Sequence, residues 1–326
     1  MSDTNEIYRF SVPANRALAP DCFTTLAVRI HKNSDIADKA AAKLLQVLGK
    51  AQPDAVLTTN KTGNFSALAC AECIPERLGM ATFLNDLGLL HDGKLKLVAL
   101  RAPATNAAHS ELISVFRLAA KGLDQTAVTN PKHFQLLGFL QQFIATDPEA
   151  ALQVCYEYEV YLKAVDSSDK EFVTMADWIP YRIPNCGYWI LMAIIRFAMD
   201  LRLTPEELKS IHDLELLIGE IAGLTNDFWS WEKEVQAQSV AGYAGLPHRN
   251  AVAVLMKEKN VDAVEAKELL KQHILAVESD FLQKVSDWQS SAGISQNLRR
   301  YVMSMEIMAG GNSFWSSTCD RYAVSH

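Results

Sequence analysis

Asn226, Ser230 and Glu234 stand four residues apart within Asn226-Asp227-Phe228-Trp229-Ser230-Trp231-Glu232-Lys233-Glu234. On a helix such positions share one face, drifting about 40° per step. An amide, a hydroxyl and a carboxylate then present oxygen donors along one stripe. Oxygen donors that leave coordination positions open suit Mg²⁺, which keeps waters and takes substrate phosphates as co-ligands. Lys233 comes seven residues after Asn226 and returns to nearly the same face, where it can neutralise a diphosphate oxygen. The competing reading is a solvated polar stripe on a surface helix, because short motifs often match by chance. Against it stand Phe228, Trp229 and Trp231, interleaved with the donors where a surface stripe rarely needs aromatic rings.

Such a stripe needs a helix under it. Ile211, Leu214, Ile218, Ile221 and Phe228 recur at helical spacing with no proline between them. Thr204-Pro205-Glu206-Glu207 reads as an N-cap and first turn, so one long helix is expected over 206–237. Residues 1–33 read as an extended entry segment, since Pro13 and Pro20 block a long helix. Further helices are expected over 35–49, from Ile74-Pro75 to a stop at Gly93, and over 106–122, 131–146, 148–165 and 169–183, the last broken by Pro180 and Pro184. Asn185 to Leu201 is apolar on most sides and reads as a central helix. Helices over 249–258, 261–289 and 292–309 come next, the last ending before Gly310-Gly311. No strand pair, repeat or linker stands out. The fold class is all-α, a helical bundle of around a dozen helices in one domain over 1–326.

The chain has 326 residues, 49% of them hydrophobic, with a formal charge of −7 and a pI near 5.7. That balance argues against a nucleic-acid-binding surface. MSDTNEIYRF lacks a basic start leading into an apolar run, and no stretch is long and apolar enough for a membrane span, so a cytoplasmic protein is expected. Free thiols are then expected of Cys22, Cys70, Cys73, Cys155, Cys186 and Cys319. Cys70 and Cys73 form a lone CxxC with no second pair or suitably spaced histidines for zinc.

Partner motifs appear in order along the chain. The nine-residue stretch from Asn226 resembles the second metal motif of class I terpene synthases. Upstream, Trp178-Ile179-Pro180-Tyr181-Arg182-Ile183-Pro184-Asn185-Cys186-Gly187 is similar to the family's segment carrying a diphosphate-sensing arginine. Downstream, Gly311-Asn312-Ser313-Phe314-Trp315-Ser316 and Arg321-Tyr322 resemble its C-terminal end, and Phe23–Lys32 and Gly63-Asn64-Phe65 also match. The closest likeness is to the cyclase domains of fungal fusicoccadiene-synthase-like enzymes. One motif departs. Pro75-Glu76-Arg77-Leu78 leads to His91-Asp92-Gly93-Lys94-Leu95-Lys96, where the family carries further carboxylates at the positions of Gly93 and Lys96.

The resemblance implies a Mg²⁺-dependent terpene cyclase, with three ions and Mn²⁺ able to substitute, that ionises a linear prenyl diphosphate. Geranylgeranyl diphosphate is slightly favoured and farnesyl diphosphate is close behind. Asp92, Asn226, Ser230 and Glu234 would hold metal; Arg182, Lys233, Arg321 and Tyr322 would grip the diphosphate. Asn185 and Cys186 would couple diphosphate binding to ionisation at a helix break, Cys186 through its backbone carbonyl. An allylic cation needs a dry pocket with aromatic faces. Phe65, Phe83, Leu89, Trp189, Phe314 and Trp315 are candidate lining, each with ordinary core packing as the rival reading. Asn85, seven residues before Asp92, and Asn312 are candidate polar groups of that pocket. No chain-building domain is read after the cyclase, so substrate is expected from another enzyme, and a homodimer is compatible with this reading. Gly93 and Lys96 keep open a non-catalytic diphosphate-binding protein. A chain-elongating prenyltransferase is a weaker rival, since it needs a second aspartate-rich motif.

Overall fold

A computed structural model describes residues 8–47, 58–96, 102–122, 131–165, 171–240, 249–290 and 292–323. Among them are thirteen α-helices: α1 Ser34–Val47, α2 Phe65–Ala69, α3 Pro75–Lys96, α4 Ala102–Ala120, α5 Pro131–Thr146, α6 Pro148–Ala164, α7 Met175–Asn185, α8 Tyr188–Ala198, α9 Pro205–Ser210, α10 His212–Val240, α11 Ala251–Lys259, α12 Ala263–Gln289 and α13 Gln296–Ser316. A 3₁₀ turn, Asp320–Tyr322, comes after α13. The all-α class expected from periodicity is what forms.

Helix α8 is the core element. Eight of its eleven residues are buried, Tyr188, Ile190, Met192–Ile195, Phe197 and Ala198. Burial on every side means neighbours all round, and α3, α6, α7, α10 and α13 pack on it. Helix starts reflect local chemistry. Thr204 and Glu207 form a reciprocal capping box at α9. Asp147 caps α6 ahead of Pro148 and also takes the guanidinium groups of Arg77 at 2.9 Å and Arg202 at 2.6 Å. That carboxylate therefore joins the starts of α3 and α6 to the chain after α8.

Several boundaries differ from the sequence expectation. Helix α3 does not stop at Gly93 but runs to Lys96. The stretch expected as one helix over 206–237 divides at Ile211, and α10 then continues to Val240. Helix α7 passes through Pro180 and Pro184 and ends at Asn185, where Gly187 turns the chain with φ 76°. Each proline removes one backbone bond, yet Trp178, Arg182 and Ile183 bury the same helix face. Helix α13 runs through Gly310 and Gly311 instead of ending there. A Cβ at Gly310 would lie 2.3 Å from the Ala27 carbonyl oxygen, and one at Gly311 2.6 Å from that of Leu68. These glycines permit close approach of two backbones to a continuous helix.

Two short antiparallel pairs also correct the strand-free expectation: β1 Ser11–Pro13 with β2 Arg29–His31, and β3 Thr59–Asn60 with β4 Gly63–Asn64. At three and two residues they are too short for a periodicity signal. The first pair belongs to the N-terminal segment, whose described part is largely extended and is fastened by three carboxylates. Glu72 accepts from the amides of Phe10 and Ser11, both at 3.0 Å. Fully buried Glu278 takes the Thr24 hydroxyl at 2.5 Å and the Thr25 amide and hydroxyl at 2.7 Å. Glu306 takes the Ala27 amide at 3.1 Å. Phe23 of this segment packs on Phe228 and Trp229 of α10, with ring centroids 5.0 and 6.0 Å away. Two of the aromatics interleaved with the donor stripe therefore seat α10 against the N-terminal segment.

Asp86 on α3 faces a crevice lined by Ala41 and Leu45 of α1 together with Thr58, Leu90 and Trp315. Its Oδ1 is buried without a hydrogen-bond partner. Burial pushes its carboxyl from an ordinary 3.8 up to about 7, with the Thr58 hydroxyl pulling the other way. A carboxyl raised in the fold binds its proton more tightly folded than unfolded, so the stabilisation is complete below pH 3.8 and is lost as pH rises to about 7. Asp86→Asn is accordingly expected to raise Tm by several degrees at pH 8 and hardly at all at pH 4, as thermal melts at the two pH values will read.

Candidate active site

Arg182 lies one turn before the end of α7 and is only 8% exposed. Its Nε donates to Asp227 Oδ1 at 2.9 Å, Nη2 to Asn226 Oδ1 at 2.6 Å and Nη1 to Asn185 Oδ1 at 3.4 Å. Asn185 in turn donates to the Tyr181 hydroxyl at 3.1 Å. Burial works against the guanidinium charge, but the Asp227 carboxylate, with Cys186 and Glu234 nearby, more than offsets it and holds the arginine above its ordinary value. Burial pushes the Asp227 carboxyl upward, and Arg182 pulls it down. With an arginine that stays charged at 2.9 Å, an indole N–H from Trp178 at 2.9 Å and the Ala251 amide at 3.1 Å, the carboxylate form is the one this site is built for.

The stripe on α10 starts beside that pair. Asn226 Nδ2 donates to the Tyr322 hydroxyl at 2.6 Å while its Oδ1 faces Arg182, so both partners orient the amide oxygen toward the arginine. One turn on, Ser230 is 3% exposed and its Oγ is buried with no partner. Leaving such a hydroxyl unsatisfied costs about 1–3 kcal/mol. One turn further, Glu234 Oε2 accepts from Asn250 at 3.1 Å. An amide oxygen, an orphaned hydroxyl and a carboxylate along one helix face fit a hard divalent cation with open positions. Among the described residues no group of three His, Cys, Asp or Glu converges, so the donors here are not those of a zinc site. Cys70 and Cys73 are buried free thiols; burial drives both upward, Cys70 to about 12.

The turn after α13 closes the arrangement. Tyr322 binds Asn226 on α10, and Arg321 Nη1 donates to the Leu89 carbonyl on α3 at 2.9 Å. Leu89 precedes Asp92 by three residues, about one turn. Asp92 lies on α3, and its side chain is outside the described residues, as is that of Lys96. Lys233 is half-buried on α10. It and Arg321 both pull down the Cys319 thiol, which burial pushes up to about 12, so the two cations share one neighbourhood. Residues from α3, α7, α10 and the C-terminal turn thus meet at one end of the bundle.

The remaining candidates divide. Phe65 and Trp315 pack edge to face at 5.1 Å, and Trp315 donates its indole N–H to Thr58 and lies 6.1 Å from the Tyr322 ring. Phe314 is buried beside them in sequence, and Asn312 is half-buried on α13. Leu89 is half-buried and lines the Asp86 crevice with Arg321. Asn85 faces α2, donating to Ser66 Oγ at 3.0 Å and toward the Cys70 sulfur. Cys186 directs its thiol to the Ile183 carbonyl at 3.2 Å. Two residues are not brought to this end. Phe83 stacks on Phe139 of α5 at 3.7 Å, on the side of α3 away from Asn85. Trp189 stacks on half-exposed His212 at the start of α10, about 20 Å along that helix from Asn226.

Sequence reasoning missed the residues that hold the predicted ones. Asp227 is part of the motif but is given no role in the sequence reading. Asn250, fully buried, falls at the start of the helix expected over 249–258 and is given no role there. Gly219 and Gly223 lie two turns and one turn before the stripe; a Cβ at Gly219 would come 2.7 Å from Ile183, and one at Gly223 3.0 Å from the Arg182 side chain. They let the end of α7 lie directly on α10. Their four-residue spacing just ahead of Asn226 was the available signal.

Known proteins resemble the chain in sequence and in fold. Residues 147–280 match the family model described as terpene synthase family 2, C-terminal metal binding. The chain is 29% identical over 321 residues to a bifunctional terpene synthase of Fusarium proliferatum, covering 95% of this chain and 42% of that protein. It is 30% identical over 268 residues to fusicoccadiene synthase of Phomopsis amygdali, covering 79% and 37%. The chain thus spans about two fifths of the length of these curated relatives. In fold it superposes on aristolochene synthase from Penicillium roqueforti with a TM-score of 0.75 at 23% identity, over 94% of this chain and 100% of that one.

Neutralising Asp227 leaves a buried guanidinium without its counter-charge, a loss of about 3 kcal/mol by analogy with other buried pairs. Asp227→Asn is therefore expected to lower the unfolding free energy by that amount, read as a fall in the urea midpoint with the slope unchanged. An unmoved midpoint would mean that the ion pair contributes nothing to stability.

Proposed function

Starting from a chain that is kin to the class I terpene synthases in sequence and in fold, we propose that it is a Mg²⁺-dependent terpene cyclase acting on a linear prenyl diphosphate. The observation that carries this reading is the Asn226–Ser230–Glu234 face of α10 lying against Arg182 and Tyr322. Ionisation of a prenyl diphosphate is limited by charge building on the leaving group, and fixed cations already in place supply the largest share of rate enhancement. Bound Mg²⁺ would neutralise diphosphate oxygens, held by Asn226, Ser230, Glu234 and, across the mouth, Asp92. The family's three-ion complement and the tolerance for Mn²⁺ belong to the same proposal.

The chain's own residues have separate tasks. Arg182 presents a planar donor fork, oriented by Asp227, Asn226 and Asn185. Lys233 and Arg321 add positive charge at the same end, and the Tyr322 hydroxyl adds a hydrogen bond. Arg321 reaches α3 through the Leu89 carbonyl, so diphosphate binding to it would draw the Asp92 helix and α10 toward one ligand. Phe65, Phe314 and Trp315 supply aromatic faces against which the allylic cation left by the departing diphosphate would be stabilised without a nucleophile. A twenty-carbon substrate is slightly favoured over a fifteen-carbon one, and a cyclic hydrocarbon or alcohol is the product.

Gly93 and Lys96 favour a second reading, a protein that binds prenyl diphosphates without turning them over. Incubation with ten-, fifteen-, twenty- and twenty-five-carbon prenyl diphosphates plus Mg²⁺, with gas chromatography–mass spectrometry of the extracts, separates the two. The expected result is a cyclic product from the twenty- or fifteen-carbon substrate, reduced about 100-fold or more in Glu234→Gln and Asp92→Ala. No product from a folded protein would favour the binder, and an Asp92→Ala variant as active as wild type would remove Asp92 from the site.

A further inference from the structure

Asn250 is the N-cap of α11, and its Oδ1 accepts from the Val252 amide at 2.9 Å. Serine, threonine or aspartate would cap equally well, since capping needs only an acceptor. The other half of the amide is what capping leaves unexplained. Nδ2 donates to the Asp227 carbonyl at 2.9 Å and to Glu234 Oε2 at 3.1 Å. Asp227 and Glu234 are seven residues apart, so both lie on one face of α10, and the amide spans that interval. Of the capping side chains, only asparagine offers an acceptor for the helix and two N–H donors for its neighbours. The side chain is 0% exposed, so it has no water to fall back on. Next to it, the Ala251 amide donates to Asp227 Oδ2. The first turn of α11 therefore touches both the carboxylate that holds Arg182 and the carboxylate at the far end of the donor stripe.

We propose that Asn250 is the positioning residue of Glu234: its amide holds carboxylate oxygen Oε2 and so sets the orientation in which Glu234 meets the cation. The proposal rests on the reading of Glu234 as a metal ligand. Donors behind metal ligands commonly set affinity by 10–100-fold. Through Ala251 and Asp227, the same turn ties the metal end of the stripe to the arginine, so a shift of α11 moves both.

The test uses Mn²⁺ with inorganic diphosphate in an electron paramagnetic resonance titration, so that binding is read without turnover. Asn250→Ser and Asn250→Asp both keep a capping oxygen and lose the donor to Glu234. Both are expected to weaken Mn²⁺ binding about tenfold or more, Asn250→Asp the more strongly because it sets a second carboxylate against the first, while the thermal melt of Asn250→Ser stays close to wild type. In a Glu234→Ala background the Asn250→Ser loss should shrink to under about twofold, because the carboxylate it positions is gone. In the wild type, the Asn250 side-chain amide resonance should shift when Mg²⁺ and inorganic diphosphate are added, whether or not the variants fold. Unchanged Mn²⁺ affinity in Asn250→Ser, an equal loss with and without Glu234, or an unmoved amide resonance at saturation overturns the role of Asn250. Wild type that binds no Mn²⁺ with diphosphate overturns the metal-site reading itself, and this inference with it.

Discussion

The ion pair between Arg182 and Asp227 is the constraint on which this end of the molecule depends. Two opposite charges out of water stabilise a fold only when the rest of their hydrogen-bonding capacity is met. Here it is met from three helices: Trp178 on the same helix as the arginine, Asn226 beside the aspartate, and Ala251 at the start of α11. Moving any of the three leaves a buried charge short of a partner. The pair therefore sets the approach of α7 to α10, and Gly219 and Gly223 make that approach sterically available. The donor stripe that results has its first member oriented by the arginine and its last held by α11.

The same pair shows why a static charge count misreads the site. Arg182 is largely balanced by Asp227 within the protein, so under the proposed function the net positive charge offered to a diphosphate would come more from Lys233 and Arg321. Glu234 is the one carboxylate in the α10 stripe, and the family's extra carboxylates at Gly93 and Lys96 are missing. A cation at this site would be held by fewer formal charges and by neutral donors in fixed places. Preorganisation of those neutral donors then carries more of the affinity.

How much of this was legible in the sequence depends on what is local. Asn226, Ser230 and Glu234 announce themselves because helical period and residue type coincide within nine residues. The bundle was legible for the same reason, and α8 was recognisable from its apolar circumference. Boundaries failed where tertiary contact overrides a local signal. Pro180 and Pro184 are tolerated because the buried face of α7 outweighs two lost backbone bonds. Gly310 and Gly311 look like a stop and are a contact surface. Asn250 and the clamps at Glu72, Glu278 and Glu306 were invisible, since their partners are 16 to 279 residues away and nothing in a single sequence marks a polar residue as fastened at such range. Phe83 and Trp189 are aromatics at plausible spacing whose rings meet Phe139 and His212 away from the donor stripe.

The carboxylate clamps on the N-terminal segment also bear on how the chain is made. Thr24, Thr25 and Ala27 find their acceptors on Glu278 and Glu306, more than 250 residues later. On the ribosome this stretch emerges early and has no docking surface until α12 and α13 have been translated. At about 5–20 residues per second it waits unpaired for some tens of seconds, with Phe23 and Leu26 exposed. Docking of this segment is then a late step of biogenesis. It completes the surface behind α10 only after the helices around it are in place.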